Sequence, residues 1–424
     1  MEGLLHRERG VLRRPRLSRR GRQARQDPQG PPHRRGPAAA GGRALSSAAD
    51  PAPRTPRWAA LPRFPWDRLD ASRVTAATHP DGIVDLSVGS PVDPTPAVVQ
   101  DALAMAADAP AYPLTHGTPA LRAAAVAWLE RRHGVVGLDP AAVLPTIGAK
   151  EIVAWLPTLL GLGAGDVVVH PEIAYPTYDV GARLAGATPV AAAGLVGLGP
   201  QRVGLVWVNS PANPTGQVLP VAHLRKVVAW AREHGAVVAS DECYLELGWE
   251  ERPVSLLHPD VCDGDTTGLL SLHSLSKRSN LAGYRAGFLT GDPALVAGLL
   301  ATRKHAGMIV PAPVQAAMAA ALGDDAHVDE QRERYRARRT TLRAAFEAAG
   351  FRAEHSTAGL YLWVTRAEPG WTSTQWLAER GILVAPGDFY GPRGGQHVRV
   401  ALTATDERVA AAVTRLTPPS PPSR

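Results

Sequence analysis

The sequence predicts an α/β protein in which a large domain, built on a mostly parallel sheet covered by helices, is joined to a smaller α+β domain. From about residue 59 to residue 291, short β-rich runs alternate with longer Ala, Leu and Val stretches of helical period, which is the pattern of such a sheet. Several short runs are apolar throughout, as in strands buried on both faces. Beyond residue 291 long helical stretches precede short strands, so we predict a second, smaller domain.

The predicted elements follow that order along the chain. The predicted strands of the large sheet are 84–88, 166–170, 204–209, 236–240, 268–273 and 283–289, and helices are predicted near 96–107, 119–133, 149–160, 176–186 and 220–234. Later come predicted helices 292–304, 312–322 and 326–349 and strands near 360–364, 382–385 and 397–402. We predict an N-terminal segment (59–100) that packs with the smaller domain, a large domain (101–299), a small domain (300–415) and a disordered tail (416–424).

The first 58 residues differ in composition from the rest of the chain. They contain 14 arginines and only four acidic residues and show no apolar periodicity, so we predict that residues 1–58 are disordered. Three interpretations stay open for this arm: a segment that binds phosphate backbones, a targeting peptide, or an upstream stretch included by a misplaced start. The net charge is +7 overall, but without the arm the chain is mildly acidic, and we expect no nucleic-acid partner.

Composition also argues against several classes of protein. The 424 residues, 45% of them hydrophobic, can fill a sizeable core, yet no run of 18 uncharged apolar residues occurs, so we expect no membrane span. The two cysteines, Cys243 and Cys262, form neither a disulfide framework nor a CxxC pair, which favours the reducing cytoplasm. The 14 histidines show no HExxH spacing, so we expect no metal.

The sharpest motif is Ser274-Leu-Ser276-Lys277, followed eight residues after the lysine by Arg285. A lysine directly after a buried strand can be desolvated, which lowers its pKa and makes the neutral amine a nucleophile toward an aldehyde. The serine hydroxyls and the forked guanidinium group of Arg285 suit a phosphate dianion. The alternative interpretation is a surface lysine and arginine in a loop.

Three further motifs lie at strand ends or helix starts. Asp241 ends an apolar strand, at the edge where open α/β sheets bind ligands, and a carboxylate there can pair with a protonated pyridine nitrogen or simply cap the next segment. Asn213, in an Asn-Pro-Thr-Gly turn after another strand, could donate to a phenolate oxygen. Gly148, Ala149 and Lys150 open a helix whose free amides can hold a phosphate.

In this order along the chain, the motifs resemble those of the class I and II aminotransferases, pyridoxal 5′-phosphate (PLP) enzymes of fold type I, over roughly residues 80–405. The resemblance implies that Lys277 carries PLP as a Schiff base and that Asp241 partners the pyridine nitrogen. It also implies that Tyr244 and Asn213 contact the ring's 3-hydroxyl oxygen and that Tyr175, otherwise interpreted as a core aromatic, stacks on the ring face. The implied phosphate contacts are Arg285, Ser274, Ser276, Gly148 and the amides of Ala149 and Lys150.

The same resemblance implies a substrate site and a dimer. Arg399 is similar to the arginine that binds the substrate α-carboxylate, for which its planar fork is suited, although it could be an exposed strand arginine. Gly89 resembles the backbone contact to that carboxylate, and Asn213 is expected beside it. Tyr112 resembles a tyrosine that reaches the phosphate of the neighbouring subunit, which implies a homodimer with shared active sites. Cys243 stands where many relatives have alanine and fits as a small buried residue.

The implied reaction moves an amino group between an amino acid and a 2-oxo acid. Lys277, displaced by the incoming amino acid, would remove the α-proton and return a proton to the cofactor. Asp241 would keep the ring able to accept electrons, with Tyr244 as the third catalytic residue at the ring oxygen. Because the cofactor holds the amino group after the first product leaves and before the second substrate binds, the kinetics should be ping-pong.

The substrate is predicted from two stretches, 86–94 and 273–289, which are most similar to those of the actinobacterial succinyldiaminopimelate aminotransferases of lysine biosynthesis. That similarity predicts N-succinyl-LL-2,6-diaminopimelate, with glutamate and 2-oxoglutarate as the other pair. The alternatives are another amino-acid aminotransferase, such as an aspartate enzyme, and a PLP-dependent C–S β-lyase. A different class is a binding protein with an inactive aminotransferase body and a nucleic-acid arm, but Lys277, Asp241 and Arg285 are all present.

Overall fold

The computed structural model of the chain describes residues 56–199 and 201–417. The predicted disordered arm, residues 1–58, lies outside these ranges except for its last three residues, and Trp58 belongs to a short 3-10 helix, Arg57–Ala60. The predicted tail 416–424 also lies outside, except that Leu416 closes a helix and is buried. Disorder of residues 1–55 and 418–424 stays a prediction, because these residues lie outside the described ranges.

The helices alternate with strands through the first two thirds of the described chain. The helices are α1 (Asp70–Ala77), α2 (Ala97–Met105), α3 (Pro119–His133), α4 (Gly148–Leu159), α5 (Thr177–Ala185), α6 (Val221–His234), α7 (Pro259–Cys262), α8 (Leu275–Arg278), α9 (Pro293–Ala306), α10 (Ala312–Gly323), α11 (Ala326–Ala348), α12 (Gly370–Ala378) and α13 (Asp406–Leu416). The strands are β1 (Val84–Asp85), β2 (Val143–Ile147), β3 (Val167–Pro171), β4 (Thr188–Ala192), β5 (Val203–Asn209), β6 (Val237–Asp241), β7 (Leu269–Ser274), β8 (Ala286–Gly291), β9 (Arg352–Ala353), β10 (Tyr361–Thr365), β11 (Ile382–Leu383), β12 (Ala385–Pro386) and β13 (Val398–Ala401).

The large sheet has seven strands in the order β2-β8-β7-β6-β5-β3-β4. Among these seven strands β8 alone runs opposite to the rest and pairs antiparallel with β2 and β7, while the other pairs are parallel, so the prediction of a mostly parallel sheet covered by helices is confirmed. The parallel strands end at one edge, where β5, β6 and β7 finish at Asn209, Asp241 and Ser274. This edge is where such sheets bind ligands.

Both faces of this sheet are buried, because successive side chains of a strand point to opposite sides. On β5, Val206 and Val208 pack into the core that includes residues of α3, α6 and α10. Leu205 and Trp207 pack on the other side with residues of α4, α5 and α9. Each such side chain contributes roughly 1.5–3 kcal/mol by leaving water, which explains why these strands are apolar throughout.

Two smaller sheets lie in the rest of the described chain. One is antiparallel, in the order β12-β13-β10-β9, and the other pairs β1 with β11 in parallel. The β1–β11 pairing joins Val84 to Ile382, so the segment around β1 contacts the C-terminal part of the chain. Their core includes α11 and α13 through residues such as Tyr335 and Val409.

Several elements differ from the sequence-based predictions. Strand 283–289 begins later, at Ala286, because Ala282–Tyr284 forms a 3-10 turn and Arg285 has a left-handed φ of 56°. Strand 84–88 is reduced to two residues outside the large sheet. Two strands of the large sheet were not predicted: β2 contains Pro145, which an edge strand tolerates, and β4 is half exposed and rich in alanine.

Two of the predicted domain boundaries fall within helices. Residue 300 falls inside α9, and residue 101 falls inside α2. Helix α10, predicted in the small domain, packs with the core of the large sheet through Val314, Met318 and Leu322. Because α10 carries small apolar side chains on every face, its sequence pattern does not indicate which of the two cores it joins. No helix within the described ranges is both long and apolar enough to cross a membrane.

Candidate active site

A cavity of about 750 Å³ opens at the carboxyl edge of the large sheet. Side chains from several elements meet there: Asn213 from the turn after β5, Asp241 from the end of β6, Ser274 from the end of β7, and Lys277 from α8. Arg399 reaches the same cavity from β13 of the small sheet. Of these, Asn213 and Arg399 are 186 positions apart in the chain and yet share one site.

The Lys277 side chain is held in a desolvated position. Its Nζ donates a hydrogen bond to the carbonyl oxygen of Gly89, which anchors the amine against the segment that follows β1. Burial lowers the pKa of the Lys277 amine below its ordinary value, and the neighbouring cations Arg399 and Arg285 act in the same direction. A lysine in these surroundings supplies a larger fraction of neutral, nucleophilic amine than an exposed one.

The Asp241 carboxylate is buried and oriented by two donors. The Tyr178 hydroxyl donates to its Oδ2 over 2.7 Å, and the Cys243 amide donates to its Oδ1 over 3.2 Å. Burial raises the pKa of Tyr178 well above its ordinary value, with the Asp241 charge adding to this rise, so the phenol stays a donor. A fixed buried carboxylate of this kind needs a cationic partner, and it faces the cavity.

Arg399 is almost fully buried, with 2% of its surface exposed. Its Nη2 donates to the Ser87 carbonyl over 2.7 Å and its Nη1 donates to Asn213 Oδ1 over 3.0 Å, while Nε has no partner among the described residues. The guanidinium carbon lies 3.9 Å from the ring centre of Tyr361 and 5.0 Å from that of Tyr390. The alternative of an exposed strand arginine is therefore wrong.

Tyr361 was not identified from the sequence, yet it lies at the centre of the site. Its hydroxyl is 3.2 Å from that of Tyr244, and a Cβ on Gly89 would come within 2.2 Å of the Tyr361 hydroxyl oxygen. Burial opposes ionisation of Tyr361, but the charges of Arg399 and Lys277 outweigh it, so the pKa of Tyr361 is lowered from its ordinary value. Nothing in its local sequence distinguishes it from other tyrosines of a buried strand.

The start of α4 and the loop before β8 form a compact cradle of hydrogen-bond donors. Gly148 has a left-handed φ of 70°, and a Cβ there would come within 2.4 Å of Arg285 Nη2. The helix has no side-chain cap at Ile147, so its first amides, including those of Ala149 and Lys150, remain available as donors. Ser274 and Ser276 line the same cavity. An anion fits this arrangement of amides, hydroxyls and guanidinium group.

The remaining predicted residues divide into those inside and outside the cavity. Tyr175 and Cys243 line it, and burial raises the pKa of Tyr175 to about 12. Burial also raises the pKa of the Cys243 thiol well above its ordinary value, which does not favour a nucleophile. Tyr112 is 98% exposed and does not line this cavity, so its contact with a neighbouring subunit stays a prediction.

The donor set fits the cofactor that the sequence resemblance implies. A pyridoxal phosphate needs an amine for its aldehyde, a carboxylate for its ring nitrogen and donors for its phosphate. Lys277, Asp241 and the Gly148–Arg285 cradle meet these three needs within one cavity. No group of three or more His, Cys, Asp or Glu side chains in residues 56–199 and 201–417 is placed to hold a metal ion.

Comparison with known proteins agrees with this arrangement. The sequence profile described as "Aminotransferase class I and II" matches residues 81–416. The chain is 67% identical over 359 residues to "Probable aminotransferase Rv1178" of Mycobacterium tuberculosis, covering 85% of this chain and 86% of that protein. It is 62% identical over 357 residues to the 4-dedimethylamino-4-oxo-anhydrotetracycline transaminase OxyQ of Streptomyces rimosus, covering 84% and 99%. Among solved structures, a "probable N-succinyldiaminopimelate aminotransferase" from Thermus thermophilus is 30% identical, with a TM-score of 0.74 over 83% of this chain and 98% of that one.

Proposed function

Since this chain belongs to the class I and II aminotransferase family, whose members are PLP-dependent, we propose that its substrates are N-succinyl-LL-2,6-diaminopimelate and 2-oxoglutarate. The observation that carries the proposal is the meeting of Lys277, Asp241 and Arg399 in one cavity. An amine, a ring-nitrogen partner and a carboxylate anchor are the three groups that transamination of an α-amino acid requires. Lysine biosynthesis would be the setting of this reaction.

The choice of substrate rests on two supports. Residues 86–94 and 273–289 resemble the corresponding stretches of actinobacterial succinyldiaminopimelate aminotransferases. The Thermus structure whose name refers to N-succinyldiaminopimelate shares the fold over most of both chains. Neither support concerns the residues that recognise the distal end of the substrate, so a screen of amino donors is the decisive test.

We assign the chemical steps to three side chains. PLP, when bound, supplies an aldehyde that takes up the amino group and a ring that withdraws electrons. Lys277 Nζ, whose pKa burial lowers from its ordinary value, is the group that removes the proton from the substrate's α-carbon and delivers it on the same face. Asp241, oriented by Tyr178, holds a proton on the ring nitrogen. Tyr244 directs its hydroxyl toward the ring oxygen.

The other cavity residues hold the cofactor in our assignment. Arg285, Ser274, Ser276 and the amides at Ala149 and Lys150 bind the phosphate, and Gly148 leaves room for the guanidinium group. Asn213 presents its Nδ2 to the ring oxygen, since its Oδ1 accepts from Arg399. Tyr175 packs on the ring face.

Arg399 binds the substrate α-carboxylate in this proposal. Its Nε has no partner among the described residues, and its two other nitrogens already have fixed acceptors in Asn213 and Ser87, so the guanidinium plane is preset. The main chain at Gly89 approaches the same place because no side chain fills it. We further propose a cytoplasmic homodimer in which Tyr112 reaches the partner's phosphate site.

A half-reaction screen tests the substrate. Holoenzyme is mixed separately with glutamate, aspartate and succinyldiaminopimelate, and the visible absorbance of the bound cofactor is followed. We expect glutamate and succinyldiaminopimelate to bleach it and aspartate to do so much more slowly. Ammonia and pyruvate release from cystathionine would instead indicate a β-lyase. Absence of bleaching with succinyldiaminopimelate, in a preparation that glutamate bleaches, would refute this substrate.

A separate experiment tests the assignment of Lys277. Borohydride treatment of the holoenzyme followed by peptide mapping should place the cofactor on Lys277, and Lys277→Ala should lose nearly all turnover. Lys226, an exposed lysine on α6, should stay unlabelled and serves as the internal control. Labelling at another lysine, or full turnover in Lys277→Ala, would refute the assignment.

A second candidate substrate is a large cyclic oxo compound. It is favoured by the 62% identity to a relative whose name refers to an oxo-anhydrotetracycline and by the apolar mouth of the cavity, which includes Leu61, Phe64 and Val180. With glutamate as donor, a polycyclic ketone would then restore the bleached absorbance. If such a ketone restores it faster than the succinylated 2-oxo acid, this candidate replaces the first.

A further inference from the structure

The helix that carries Lys277, α8, is a single turn of four residues. An isolated turn is unfavourable, because several backbone angles are fixed for very few hydrogen bonds. At its start the Ser274 side chain accepts from the Ser276 amide over 3.1 Å. At its end the Ser279 amide donates to the Leu275 carbonyl over 3.1 Å. These bonds are local, so contacts with the surrounding elements decide how the turn is oriented in the protein.

Lys277 and Arg278 leave this turn in different directions. The Lys277 side chain lines the active-site cavity, whereas Arg278 does not line it and is only 4% exposed. Successive side chains of a helix are rotated by about 100° around its axis. Fixing the Arg278 side chain therefore also fixes the direction in which the Lys277 side chain leaves the backbone.

Groups from several elements surround the Arg278 guanidinium group. Its Nη2 donates to the Ala321 carbonyl on α10 over 3.2 Å. Its central carbon lies 4.9 Å from the ring centre of Trp128 on α3, a favourable distance for a cation–aromatic contact. Its Nη1 lies 3.9 Å from Glu246 Oε1, in the segment between β6 and α7. Arg278 thus joins α8 to the helices that pack on the large sheet.

The Glu246 carboxylate has further partners of its own. Its Oε1 accepts from Trp128 Nε1 over 2.7 Å, and its Oε2 accepts from Arg132 Nη2 over 2.8 Å. Burial opposes ionisation of Glu246, but His133 and Arg278 outweigh burial, so the pKa of Glu246 lies below its ordinary value. Because Glu246 keeps other donors when Arg278 is replaced, such a variant should fold.

The buried charge of Arg278 is costly. Its Nε and Nη1 have no hydrogen-bond partner among the described residues. Burial lowers the pKa of Arg278 to about 10, against the effect of the Glu246 charge, so the group remains a cation at neutral pH. An apolar side chain in place of a buried ion-pair partner is often no less stable when the remaining charge stays paired. Stability alone therefore does not explain an arginine at this position.

The residues that follow Arg278 are held by other partners. The Ser279 hydroxyl oxygen lies 2.8 Å from His327 Nε2, and Asn280 Nδ2 donates to Gln331 Oε1 over 2.9 Å. Both partners belong to α11. Loss of the Arg278 contacts should therefore free the turn that carries the lysine without releasing the chain after it.

We propose that Arg278 is a positioning residue: held by Trp128 and Glu246, it fixes the rotation of α8 and thereby directs Lys277 Nζ toward the reacting atoms. This inference rests on the role of Lys277 in the proposed function. It assigns to Arg278 an effect on the rates of the steps that use the Lys277 amine and none on substrate affinity, which we assign to Arg399.

The first test uses apoenzyme and needs no substrate. Apoenzyme is mixed with PLP, and the absorbance change of imine formation is followed for the unaltered protein, Arg278→Met and Arg278→Lys. We expect the rate constant to fall on the order of tenfold in Arg278→Met, because small displacements of a reacting group slow a reaction strongly. Arg278→Lys, which keeps the charge, should recover part of this loss. A smaller folded fraction would instead lower the amplitude and leave the rate constant unchanged.

The second test follows the half-reaction of the holoenzyme with increasing glutamate. In Arg278→Met the limiting rate constant should fall on the order of tenfold, while the glutamate concentration that gives half of it changes by less than about twofold. The free energy of urea unfolding should stay close to that of the unaltered protein.

Arg339→Met is the matched control. Arg339 is also buried, donates to the Ser356 carbonyl over 2.8 Å, and has its guanidinium carbon 6.0 Å from the ring centre of Trp249. It lies on α11 rather than on the turn of Lys277. Both rate constants in Arg339→Met should match those of the unaltered enzyme, whatever its stability.

Three outcomes would overturn the positioning role. One is unchanged rate constants in Arg278→Met, and another is an equal loss in Arg339→Met. If Arg278→Met does not fold, Arg278→Lys and Glu246→Gln replace it, and unchanged rate constants in both are the third. The role of Lys277 fails separately: borohydride labelling of another lysine removes that role, whereas labelling of Lys277 with unaffected Arg278 variants removes this inference alone.

Discussion

The hydroxyl group of Tyr178 donates a 2.7 Å hydrogen bond to the carboxylate of Asp241. Tyr178 lies on α5, with its ring stacked 4.9 Å from that of Trp207 on β5, and so is held by the core of the large sheet. The carboxylate that we assign to the ring nitrogen is thus oriented by the packing behind it.

Tyr178→Phe removes this hydroxyl and keeps the ring. A buried hydrogen bond to a charged group contributes about 1.5–3 kcal/mol, so we expect kcat and cofactor affinity to fall by roughly tenfold or more. Steady-state kinetics and titration of the apoenzyme with PLP measure the two effects. Tyr284→Phe, which removes a hydroxyl from a tyrosine outside the cavity, should match the unaltered enzyme. Unchanged kcat and affinity in Tyr178→Phe would mean that Asp241 needs no such support.

Gly89→Ala should disrupt the site by overpacking. The added Cβ would lie 2.2 Å from the Tyr361 hydroxyl oxygen and 2.8 Å from two ring carbons, and forced overpacking costs about 1–3 kcal/mol. We expect a lower free energy of urea unfolding and a lower kcat/KM. Adding Tyr361→Phe should recover only part of the loss, since the ring carbons remain.

The control for this prediction is Gly194→Ala. A Cβ at Gly194 would meet no atom within 4 Å, so its stability and kcat/KM should stay close to those of the unaltered enzyme. If Gly89→Ala behaves like Gly194→Ala, the contact between Gly89 and Tyr361 does not constrain the site.

We predict that the buried Glu242 side chain makes the free energy of unfolding depend on pH. Burial raises its pKa from the ordinary 4.5 to about 7, against the lowering effect of the Leu256 amide bound to Oε1. Its Oε2 has no hydrogen-bond partner among the described residues, so no donor there compensates a negative charge on that oxygen. His273 Nε2 lies 3.8 Å from Oε2, and burial lowers the pKa of His273 well below its ordinary value.

The sign of the effect follows from proton binding. The folded state holds the Glu242 proton more tightly than the unfolded state, so stability falls as pH rises from about 4.5 to about 7. Glu242→Gln should therefore be more stable than the unaltered protein at pH 8, by up to about 3 kcal/mol, and much closer to it at pH 5. Urea unfolding at the two pH values measures this. Glu233→Gln, at an exposed glutamate, should show no such difference, and an equal effect of Glu242→Gln at both pH values would contradict the raised pKa.

Arg399→Lys tests the proposed carboxylate anchor. A lysine has a single ammonium group, so it cannot keep the hydrogen bonds to the Ser87 carbonyl and to Asn213 and also offer two parallel donors to a carboxylate. Losing a buried, hydrogen-bonded charge contact costs about 2–5 kcal/mol, so we expect half-reaction kcat/KM to fall about 100-fold for every α-amino acid donor. Arg408→Lys, on α13 outside the cavity, is the control. A change of less than about twofold in Arg399→Lys would place the α-carboxylate elsewhere.

The sequence by itself determined the parts of the site that lie at the ends of predicted strands. Asn213, Asp241 and Lys277 each follow an apolar run, and the carboxyl ends of parallel strands meet at one edge. Their convergence on one cavity therefore needed only the strand pattern and the topology of an α/β sheet. Gly148 and the amides after it were equally predictable, because a helix start needs no distant partner to present free donors.

Only the tertiary structure decided which side chains complete that edge. Tyr178 and Tyr361 come from a helix and a strand whose local sequences predict core packing. Residues 61–66, which also line the cavity, precede α1 and show no apolar periodicity that would have indicated this position. Their roles depend on contacts between positions far apart in the chain, such as Tyr244 with Tyr361 and Trp66 with Phe389. Periodicity records which face of an element is buried but not which distant residue it meets, and for that reason the packing, rather than the pattern, positions Arg399 among its aromatic neighbours.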